Sequence, residues 1–442
     1  AIATRNFMND QEFVEIETPV LMKSTPEGAR DFLVPSRLHT GRFYALPQSP
    51  QTYKQLLMVS GFDKYFQIVK CFRDEDFRAD RQPEFTQIDI EMSFVDQDDI
   101  INLGTNLTRH IWEIVNDVDL PEEFPILNYH DAMERYGSDK PDIRFDMELQ
   151  EMAGFVEQSD FNAFKSVLES GGRVKALVCP SASTYSRKVI DELTDYLKKY
   201  YGAKGLAWMK CVDGKLDGGI GKFFPKSVKN DIISQLSIED DSVIFMVGDA
   251  AKTVFAALGA LRIELAKRES LIDSNKWAPL WVVDFPLVEW NEDKNRWDAL
   301  HHPFTSPNLE DLDKLDSEPG TVRSFGYDVI MNGYELGGGS IRIHDRDLQA
   351  RIFKLLGISD EDAQEKFGFL MDAFKYGAPP HGGMAFGFDR IVMLLAGSNQ
   401  IRDVIAFPKT TSALSLMDNS PSPVSEEQLE ELHLEVIQDS ED

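Results

Sequence analysis

Two strand-like runs of the sequence are joined by Asn332-Gly333, a dipeptide that permits very few arrangements of its neighbours. Asn-Gly is the strongest short-range signal for a two-residue type I′ turn, so the flanking residues are expected to form an antiparallel hairpin. This turn pairs Ile330 with Glu335, and Asp328 falls on the same face as Glu335 along a cross-strand diagonal. Two carboxylates about 7–8 Å apart at the backbone suit an Mg²⁺ ion that also holds phosphates.

Arg342 follows three consecutive glycines, Gly337–Gly339, on the second strand of this hairpin. Its parity places it on the face opposite Glu335 unless the strand slips by one residue. A run of glycines is a common position for the extra residue of a β-bulge. We therefore expect a bulge within Gly337–Gly339 that brings Glu335 and Arg342 to one cavity.

A second antiparallel pair is predicted from Tyr65–Arg73 and Phe85–Phe94, which are joined by a charged loop. On the returning strand three polar residues share one face because side chains alternate along a strand; they are Gln87, Asp89 and Glu91. Such a face is either the floor of a site or an ordinary solvent-facing surface, and this segment alone leaves both readings open.

A third candidate segment is a glycine-lined strand that leads into a helix whose first turn contains Arg390. A cation near a helix N-terminus is unfavourable by roughly 0.3–1 kcal/mol. A bound anion would remove the conflict, because helix N-termini bind phosphate readily. The alternative is that Arg390 pairs with a nearby acid.

The pattern of the chain divides it into three segments. Residues 1–143 mix short strands with loops, residues 144–276 show three strand–helix units, and the strand-rich style returns over 277–442. We expect an α+β fold in which an antiparallel sheet flanked by helices is interrupted by an inserted α+β domain at 144–276.

Composition limits the compartment and the ligands. The formal net charge is −29, from 46 Lys+Arg and 75 Asp+Glu, so an RNA contact would need a local basic patch. Three widely spaced cysteines fit no metal or redox pattern, and no apolar run approaches the ~20 residues of a membrane span. A cytoplasmic enzyme is expected. The glycines of Gly218–Lys222 lack the spacing of a phosphate loop, and no GxGxxG follows a strand.

The three candidate segments together resemble motifs 2 and 3 of the class II aminoacyl-tRNA synthetases and the strand between them. Phe13–Leu21 resembles the end of motif 1, the dimer-forming element. Three further stretches are similar to the aspartate-specific members, Thr25–Phe32, Gln48–Lys54 and His301–Phe304, and the inserted module is similar to that of the bacterial type. The resemblance extends over essentially all 442 residues. The family's N-terminal anticodon-binding domain and the start of motif 1 are expected to be missing.

The resemblance implies that the chain activates L-aspartate with ATP and transfers it to the 3′ end of tRNA-Asp, with tRNA-Asn left open. The residues that it implies for aspartate are Glu27, Gln51, Lys54, Arg73, Asp89, His301, His302 and Arg342. Those that it implies for ATP are Arg73, Asp74, Glu75, Gln82, Glu335, Gly387, Phe388, Asp389 and Arg390. Arg73, Arg390 and Glu335 would act in the chemistry, Asp328 and Glu335 would hold Mg²⁺, and Arg78 and Arg81 would contact the tRNA acceptor end. A homodimer is also implied.

Four alternatives remain open at this point. Asparaginyl- and lysyl-tRNA synthetases share the class, but an asparagine pocket does not need two cations and a lysine pocket needs acids where Lys54 and Arg342 stand. A tRNA-free relative that makes asparagine shares the adenylate chemistry. A non-catalytic paralogue usually lacks a phosphate or metal ligand, and the residues expected for these ligands are all present.

Overall fold

The computed structural model describes residues 1–25, 28–75, 81–181 and 184–437. The helices in chain order are Ile2–Asp10 (α1), Gln51–Val59 (α2), Gln97–Asn116 (α3), Tyr129–Tyr136 (α4), Ala153–Glu157 (α5), Asn162–Glu169 (α6), Arg187–Tyr201 (α7), Lys226–Gln235 (α8), Ala251–Arg268 (α9), Arg346–Leu355 (α10), Asp360–Ala373 (α11), Phe388–Leu395 (α12) and Glu426–Glu431 (α13).

The strands in chain order are Val14–Glu15 (β1), Leu33–Pro35 (β2), Phe43–Ala45 (β3), Lys64–Phe72 (β4), Glu84–Ser93 (β5), Ile126–Asn128 (β6), Gln150–Glu151 (β7), Arg173–Pro180 (β8), Ala207–Val212 (β9), Lys215–Asp217 (β10), Ser242–Asp249 (β11), Pro279–Val283 (β12), Val288–Asn291 (β13), Arg296–Ala299 (β14), Gly326–Met331 (β15), Tyr334–Ile341 (β16) and His381–Gly387 (β17). Among the described residues no helix is both long and apolar enough to cross a bilayer.

The chain forms two compact units. The first, called the sheet unit here, contains residues 1–124, 283–329 and 336–442, and the second, called the insert unit, contains residues 125–282 and 330–335. The insert unit includes all of the segment 144–276, for which an inserted domain is predicted, together with flanking residues on both sides. That 144–276 is a domain in its own right stays a prediction.

The sheet unit is built on strands in the order β1-β4-β5-β17-β16-β15. β1 runs parallel to β4, whereas β4 with β5, β5 with β17 and β17 with β16 are antiparallel. The long helix α3 begins with a capping box, in which the Asp96 side chain accepts from the Asp99 N–H and the Asp99 side chain accepts from the Asp96 N–H. The antiparallel sheet with flanking helices confirms the predicted fold class.

The insert unit is an antiparallel sheet in the order β10-β9-β11-β8-β7 with helices on both faces. Alternate residues of β11 enter two separate cores: Val243, Phe245 and Val247 pack with residues of α7 and α9, and Ile244 and Met246 with residues of α5, α6 and α8. A strand that is buried on both faces reads as a continuous apolar run, as this one does. The three predicted strand–helix units correspond to β8–α7, β9–α8 and β11–α9.

Local predictions hold with small shifts. The Asn332-Gly333 turn has positive φ at both residues, 54° and 85°, as a type I′ turn requires. The last helix of the motif 3 segment ends before Gly397, which has a φ of 68°. Helix α2 begins at Gln51 with Pro50 in the cap position. Ser49 Oγ accepts from the Gln51 N–H at 3.3 Å.

Candidate active site

Strand β5 carries two carboxylates that are completely buried. Asp89 and Glu91 are 0% exposed, and Gln87, which shares their face, is 9% exposed. Charged side chains are almost never fully buried unless they are paired. The alternative reading, an ordinary solvent-facing surface, is therefore wrong, and the floor of a charged site stays a prediction.

Two cations from distant parts of the chain reach these carboxylates. Lys54, on α2, places Nζ 2.7 Å from Asp89 Oδ1 and 3.2 Å from Glu91 Oε2. Arg342, directly after β16, donates from Nε and Nη2 to the two oxygens of Glu91 at 2.9 and 3.0 Å. Both cations are 2% exposed. Glu91 thus bridges a lysine and an arginine, and these four residues form one buried array, the Glu91 network (Lys54, Asp89, Glu91 and Arg342).

Burial and charge act in opposite directions on the Glu91 network. Burial raises the pKa of Glu91, but Arg342 and Lys54 outweigh it and leave this pKa lowered to about 2. Burial also raises the pKa of Asp89, and Lys54 only partly opposes that shift. Burial lowers the pKa of Arg342, yet the ion pair with Glu91 leaves it raised. Glu91 is therefore the firmly ionised counter-ion of the network.

His302 extends the network on the side of Arg342 that faces away from Glu91. Arg342 Nη1 lies 2.6 Å from His302 Nε2 and 2.8 Å from Ser340 Oγ. Burial, followed by the charge of Arg342, lowers the pKa of His302 well below its usual value, so the ring is neutral. Its Nδ1 lies 3.1 Å from the Phe304 N. A neutral ring has one acceptor nitrogen, so the tautomer decides whether His302 accepts from the Arg342 guanidinium at Nε2 or from the Phe304 N–H at Nδ1.

The path of β16 to Arg342 differs from the expected one. Gly337–Ile341 pair one for one with Gly382–Phe386, and the Arg342 N–H continues the ladder by donating to His381 O at 2.9 Å. The bulge predicted within Gly337–Gly339 is wrong, because the register is uninterrupted. Arg342 consequently shares its strand face with Ser340 and not with Glu335.

The glycines of this sheet serve close packing and not a change of register. A Cβ on Gly339 would lie 2.0 Å from Gly383 O, so a side chain there would push β16 away from β17. A Cβ on Gly383 would lie 2.0 Å from Glu91 Oε2 and 2.2 Å from Ile90 O. Gly383 therefore leaves the space that the Glu91 carboxylate occupies.

Two buried polar atoms lack a hydrogen-bond partner within the described chain, Oδ2 of Asp89 in the network and Nε2 of Gln51 on the helix of Lys54. Gln51 lies on the same helix as Lys54 and is 5% exposed. An unpaired buried polar atom is costly, and each such case in a native protein needs an explanation. A donor and an acceptor beside a charged network are the groups that a zwitterionic ligand would satisfy.

The loop between β4 and β5 carries several residues predicted to bind ATP. Arg73 lies over the Phe85 ring with Cζ 5.0 Å from the ring centroid. Its backbone N–H donates to Pro83 O at 2.9 Å, which ties the two ends of the loop together. The structure thus places Arg73 at the base of the loop, beside the start of β5.

Further along the loop the contacts are more exposed. The Asp74 N–H donates to Arg30 O at 3.1 Å, and Glu75 Oε2 lies 2.8 Å from Arg81 Nη1. The side chains of Glu75 and Arg81 are 31% and 43% exposed. Two predicted site residues, Glu27 for aspartate and Arg78 for tRNA, lie outside the described residues.

Helix α12 starts at the end of β17 and brings the motif 3 residues beside β5. Asp389 Oδ2 accepts from the Thr86 N–H at 2.7 Å, and burial raises its pKa. The Phe388 side chain lines an apolar groove together with Ile88, which lies on the strand face opposite Asp89. Arg390 lies in the first turn of α12, as the sequence predicts.

The carboxylates predicted for Mg²⁺ belong to different units. Asp328 is in the sheet unit, where Oδ1 lies 3.4 Å from His301 Nε2, and Glu335 is in the insert unit. Among the described residues no group of three or more His, Cys, Asp or Glu side chains forms a metal cluster. Carboxylate oxygens are what Mg²⁺ prefers, and one or two carboxylates suffice when substrate phosphates complete its shell. The donor chemistry therefore fits, and the metal site stays a prediction.

One member of the Glu91 network and one neighbour of it were not singled out as site residues from the sequence. Glu91 was placed on a face with Asp89 but given no role, although it contacts both cations. Ser340, which contacts Arg342, was not considered. The parity of β5 was the available signal for Glu91. Its partners lie 37 and 251 positions away, so spacing alone does not reveal them.

Comparison with known proteins gives a consistent result. The family model for class II tRNA synthetases (D, K and N) matches residues 1–411. An "Aspartate--tRNA ligase" of Staphylococcus saprophyticus is 57% identical over 98% of this chain and 74% of its own length. One of Halalkalibacterium halodurans is 56% identical over 98% of this chain and 73% of its own length. An "Aspartate--tRNA(Asp/Asn) ligase" of Caldanaerobacter subterraneus is 54% identical over 98% of this chain and 73% of its own length.

Proposed function

We propose, on the premise that the chain belongs to the class II tRNA synthetases for aspartate, lysine and asparagine, that its buried charged array selects L-aspartate for attachment to tRNA. The activity is that of an aspartate–tRNA ligase: ATP and aspartate give aspartyl-adenylate and pyrophosphate, and the aspartyl group then passes to tRNA. The residues that carry out these steps are proposals.

The observation that carries the proposal is the Glu91 network. Glu91 engages Nε and Nη2 of Arg342, which leaves the Nη1 edge of the guanidinium directed to Ser340 and His302. Lys54 offsets the charge of the acids on the other side, so Arg342 retains a positive potential at that edge. Aspartate and asparagine are nearly the same size, and a cationic edge separates them by charge.

His302 supports a carboxylate as the ligand. The partners of Arg342 Nη1 at this edge are neutral, His302 Nε2 at 2.6 Å and Ser340 Oγ at 2.8 Å. A carboxylate oxygen that accepts from this edge would form a charge-assisted hydrogen bond, which is about twice as strong as a neutral one. An asparagine side chain would supply one neutral oxygen and an additional donor, which does not fit the same position as well.

The α-ammonium group and a backbone oxygen of the amino acid are assigned to the two buried atoms that lack partners within the described chain. Asp89 Oδ2 is an acceptor for the substrate ammonium, and Gln51 Nε2 is a donor for a substrate oxygen. We assign Glu27 to the ammonium as well, on the resemblance alone. With the substrate held at both ends, its α-carboxylate is fixed in position, which lowers the barrier by removing the freedom of the reactants.

Activation needs no protein nucleophile. The α-carboxylate oxygen attacks the α-phosphorus of ATP, the bond from that phosphorus to the bridging oxygen breaks, and pyrophosphate leaves. We assign Arg73, at the base of the motif 2 loop, to the α-phosphate, and Arg390, in the first turn of α12, to the γ-phosphate. Fixed positive groups that face the developing charge stabilise the transition state.

The other nucleotide contacts and the metal follow from the resemblance. Asp74, Glu75, Gln82 and Gly387–Asp389 are proposed for ATP, and His301 is proposed beside the substrate. Asp328 and Glu335 are the carboxylates proposed for Mg²⁺, which when bound neutralises phosphate charge. In the second step a hydroxyl of the terminal adenosine of tRNA attacks the aspartyl carbonyl and AMP leaves. Arg78 and Arg81 are proposed to guide that end of the tRNA.

A homodimer and the charging of tRNA-Asn are further proposals. An apolar groove of about 340 Å³ lies between α1, α3 and α12, and Ile2 of α1 is 76% exposed beside it. This surface and the resemblance of Phe13–Leu21 to motif 1 support a homodimer.

The relative named for both tRNA-Asp and tRNA-Asn favours charging of tRNA-Asn as a second candidate activity. The three buried free cysteines suit the reducing cytoplasm, where tRNA is used.

Aminoacylation with purified tRNAs tests these activities together. The chain is expected to charge tRNA-Asp with aspartate in the presence of ATP and Mg²⁺. Parallel reactions with tRNA-Asn decide the second candidate, and asparagine and lysine serve as competing amino acids. Charging of any tRNA with asparagine or lysine in place of aspartate would contradict the proposed function.

A further inference from the structure

The return strand of the motif 2 loop is attached to the C-terminal part of the chain at three alternate residues. The carboxamide of Gln82 accepts from the Lys409 N–H at 2.8 Å through Oε1 and donates to Lys409 O at 3.1 Å through Nε2. Lys409 Nζ donates to Glu84 Oε1 at 3.0 Å. Asp389 Oδ2 accepts from the Thr86 N–H at 2.7 Å. The side chains of Gln82 and Glu84 share one face of this segment because side chains alternate along a strand, and the third contact is made by the backbone of Thr86.

The three contacts differ in burial. Gln82 is 5% exposed, whereas the side chains of Glu84 and Lys409 are 40% and 23% exposed. The pair of hydrogen bonds from Gln82 takes up both polar groups of the Lys409 backbone, in the manner of an added strand residue. Nε2 of Gln82 also lies 3.4 Å from Arg81 O. The Gln82 carboxamide is therefore already engaged at both ends.

The segment that carries Lys409 has its own internal support. Lys409 forms an antiparallel bridge with Ser415, and the Thr410 N–H donates to Leu414 O at 2.9 Å. Ser415 is 5% exposed. Lys409 is thus presented by a closed turn and not by a free end, and a closed turn holds its position against the strand at a lower entropic cost.

We propose that Lys409 is a positioning residue of the nucleotide site. Its backbone holds Gln82 and its ammonium holds Glu84, and together with Asp389 these contacts fix the return strand. This inference rests on the proposed function and refines it, because Gln82 then belongs to the ATP site by positioning the strand and not by contacting the base. The carboxamide of Gln82 acts as a strut, and the adenine is read by other groups.

Two variants, assayed by aspartate-dependent ATP–pyrophosphate exchange, test whether the Gln82 carboxamide positions the strand or recognises the adenine base. Gln82→Met keeps the size of the side chain and leaves the Lys409 N–H and carbonyl unpaired. The KM for ATP is expected to rise by roughly 5- to 100-fold, with the KM for aspartate unchanged. Lys409→Met removes only the pair with Glu84, so a rise of less than about fivefold is expected, with recovery in Lys409→Arg.

Lys375→Met is the matched control, because Lys375 forms an exposed ion pair with Asp372 on another part of the sheet unit. It is expected to leave both KM values unchanged. The preference for ATP over GTP, measured as a ratio of kcat/KM, is expected to be the same in Gln82→Met and in the unmodified protein, because a strut does not contact the base.

Each outcome decides the proposal. Loss of the ATP preference in Gln82→Met would show that the carboxamide reads the base and would overturn it. A fall in kcat with a lowered Tm and unchanged KM values would also overturn it, since that is the effect of a purely structural contact. If Gln82→Met does not fold, the proposal is tested by whether the KM for ATP rises in Lys409→Met and recovers in Lys409→Arg. If the unmodified protein shows no aspartate-dependent exchange, that result contradicts the proposed function and not the positioning role of Lys409.

Discussion

The two sides of the candidate site are built in opposite ways. On the amino-acid side every charge of the Glu91 network is at most 2% exposed and is already paired. On the nucleotide side the pair of Glu75 and Arg81 is about one-third or more exposed. Buried pairs depend strongly on each partner, whereas exposed pairs contribute about 0–1 kcal/mol. We therefore propose that amino-acid selection is set before the ligand arrives, whereas the exposed pairs of the proposed nucleotide side leave it able to adapt to ATP and then to tRNA.

The largest expected effect comes from removing the bridging acid. In Glu91→Gln the side chain keeps its size, but Arg342 and Lys54 lose their shared counter-ion. Breaking a buried pair costs about 3–5 kcal/mol, so the free energy of unfolding in urea is expected to fall by that amount. Glu75→Gln is the matched change on the exposed side, and a comparable loss there would remove the contrast between the two sides.

The dependence of stability on acid pH tests the same contrast between the buried and the exposed side of the site. The pKa of Glu91 is lowered from 4.5 to about 2, so its contribution to stability is complete above pH 4.5 and is lost as the pH falls toward 2. A shift of this size corresponds to up to about 3 kcal/mol. The difference in unfolding free energy between the unmodified protein and Glu91→Gln is therefore expected to shrink over that range. A difference that stays constant from pH 5 to 2.5 would contradict the assignment of Glu91 as the ionised counter-ion.

Gly383→Ala tests the packing that gives Glu91 its space. A Cβ at 2.0 Å from Glu91 Oε2 forces the carboxylate to move, and overpacking of this kind costs about 1–3 kcal/mol. The KM for aspartate in pyrophosphate exchange is expected to rise, and the KM for ATP is expected to change little. Gly205→Ala is the control, since no atom lies within 4 Å of the added carbon. Equal effects of the two substitutions would show that the space beside Glu91 is not required.

The smallest expected effect on activity comes from a substitution on the exposed, nucleotide side of the site. Arg81→Gln removes an exposed pair, so the rate of aspartate activation is expected to change less than about fivefold. Aminoacylation is expected to become less sensitive to salt. The slope of log K against log salt for tRNA is expected to be reduced by about 0.7–0.9, the contribution of one phosphate contact. An unchanged slope would remove Arg81 from the tRNA contacts.

Features that depend on neighbouring residues could be predicted from the sequence. The turn at Asn332-Gly333 and the common face of Asp89 and Glu91 follow from local rules of turn type and strand parity. The predicted bulge after Glu335 was wrong because the glycines are used for close contact between β16 and β17, and that contact involves Gly383 O, more than 40 positions away. Sequence spacing contains no information on which strands approach closely.

The sequence predicted that Lys54 and Arg342 lie together, but not which residue joins them. The structure brings the two cations together through Glu91, and this meeting of three segments exists only in the folded sheet. Gln82 shows the same limit, since its hydrogen bonds go to Lys409, 327 positions further along the chain. Side chains that act through distant backbone groups leave no local pattern.

The central claim is that the Glu91 network selects a carboxylate by charge, and the ratio of kcat/KM for aspartate to that for asparagine tests it most directly. We expect a strong preference for aspartate in pyrophosphate exchange by the unmodified protein. Arg342→Gln is expected to lower kcat/KM for aspartate by roughly 30- to several-thousand-fold, because removing one partner of a buried charge pair costs about 2–5 kcal/mol. Asparagine is expected to be affected far less, so that the ratio collapses. A near-normal value for aspartate in Arg342→Gln, or an unchanged ratio, would contradict the account.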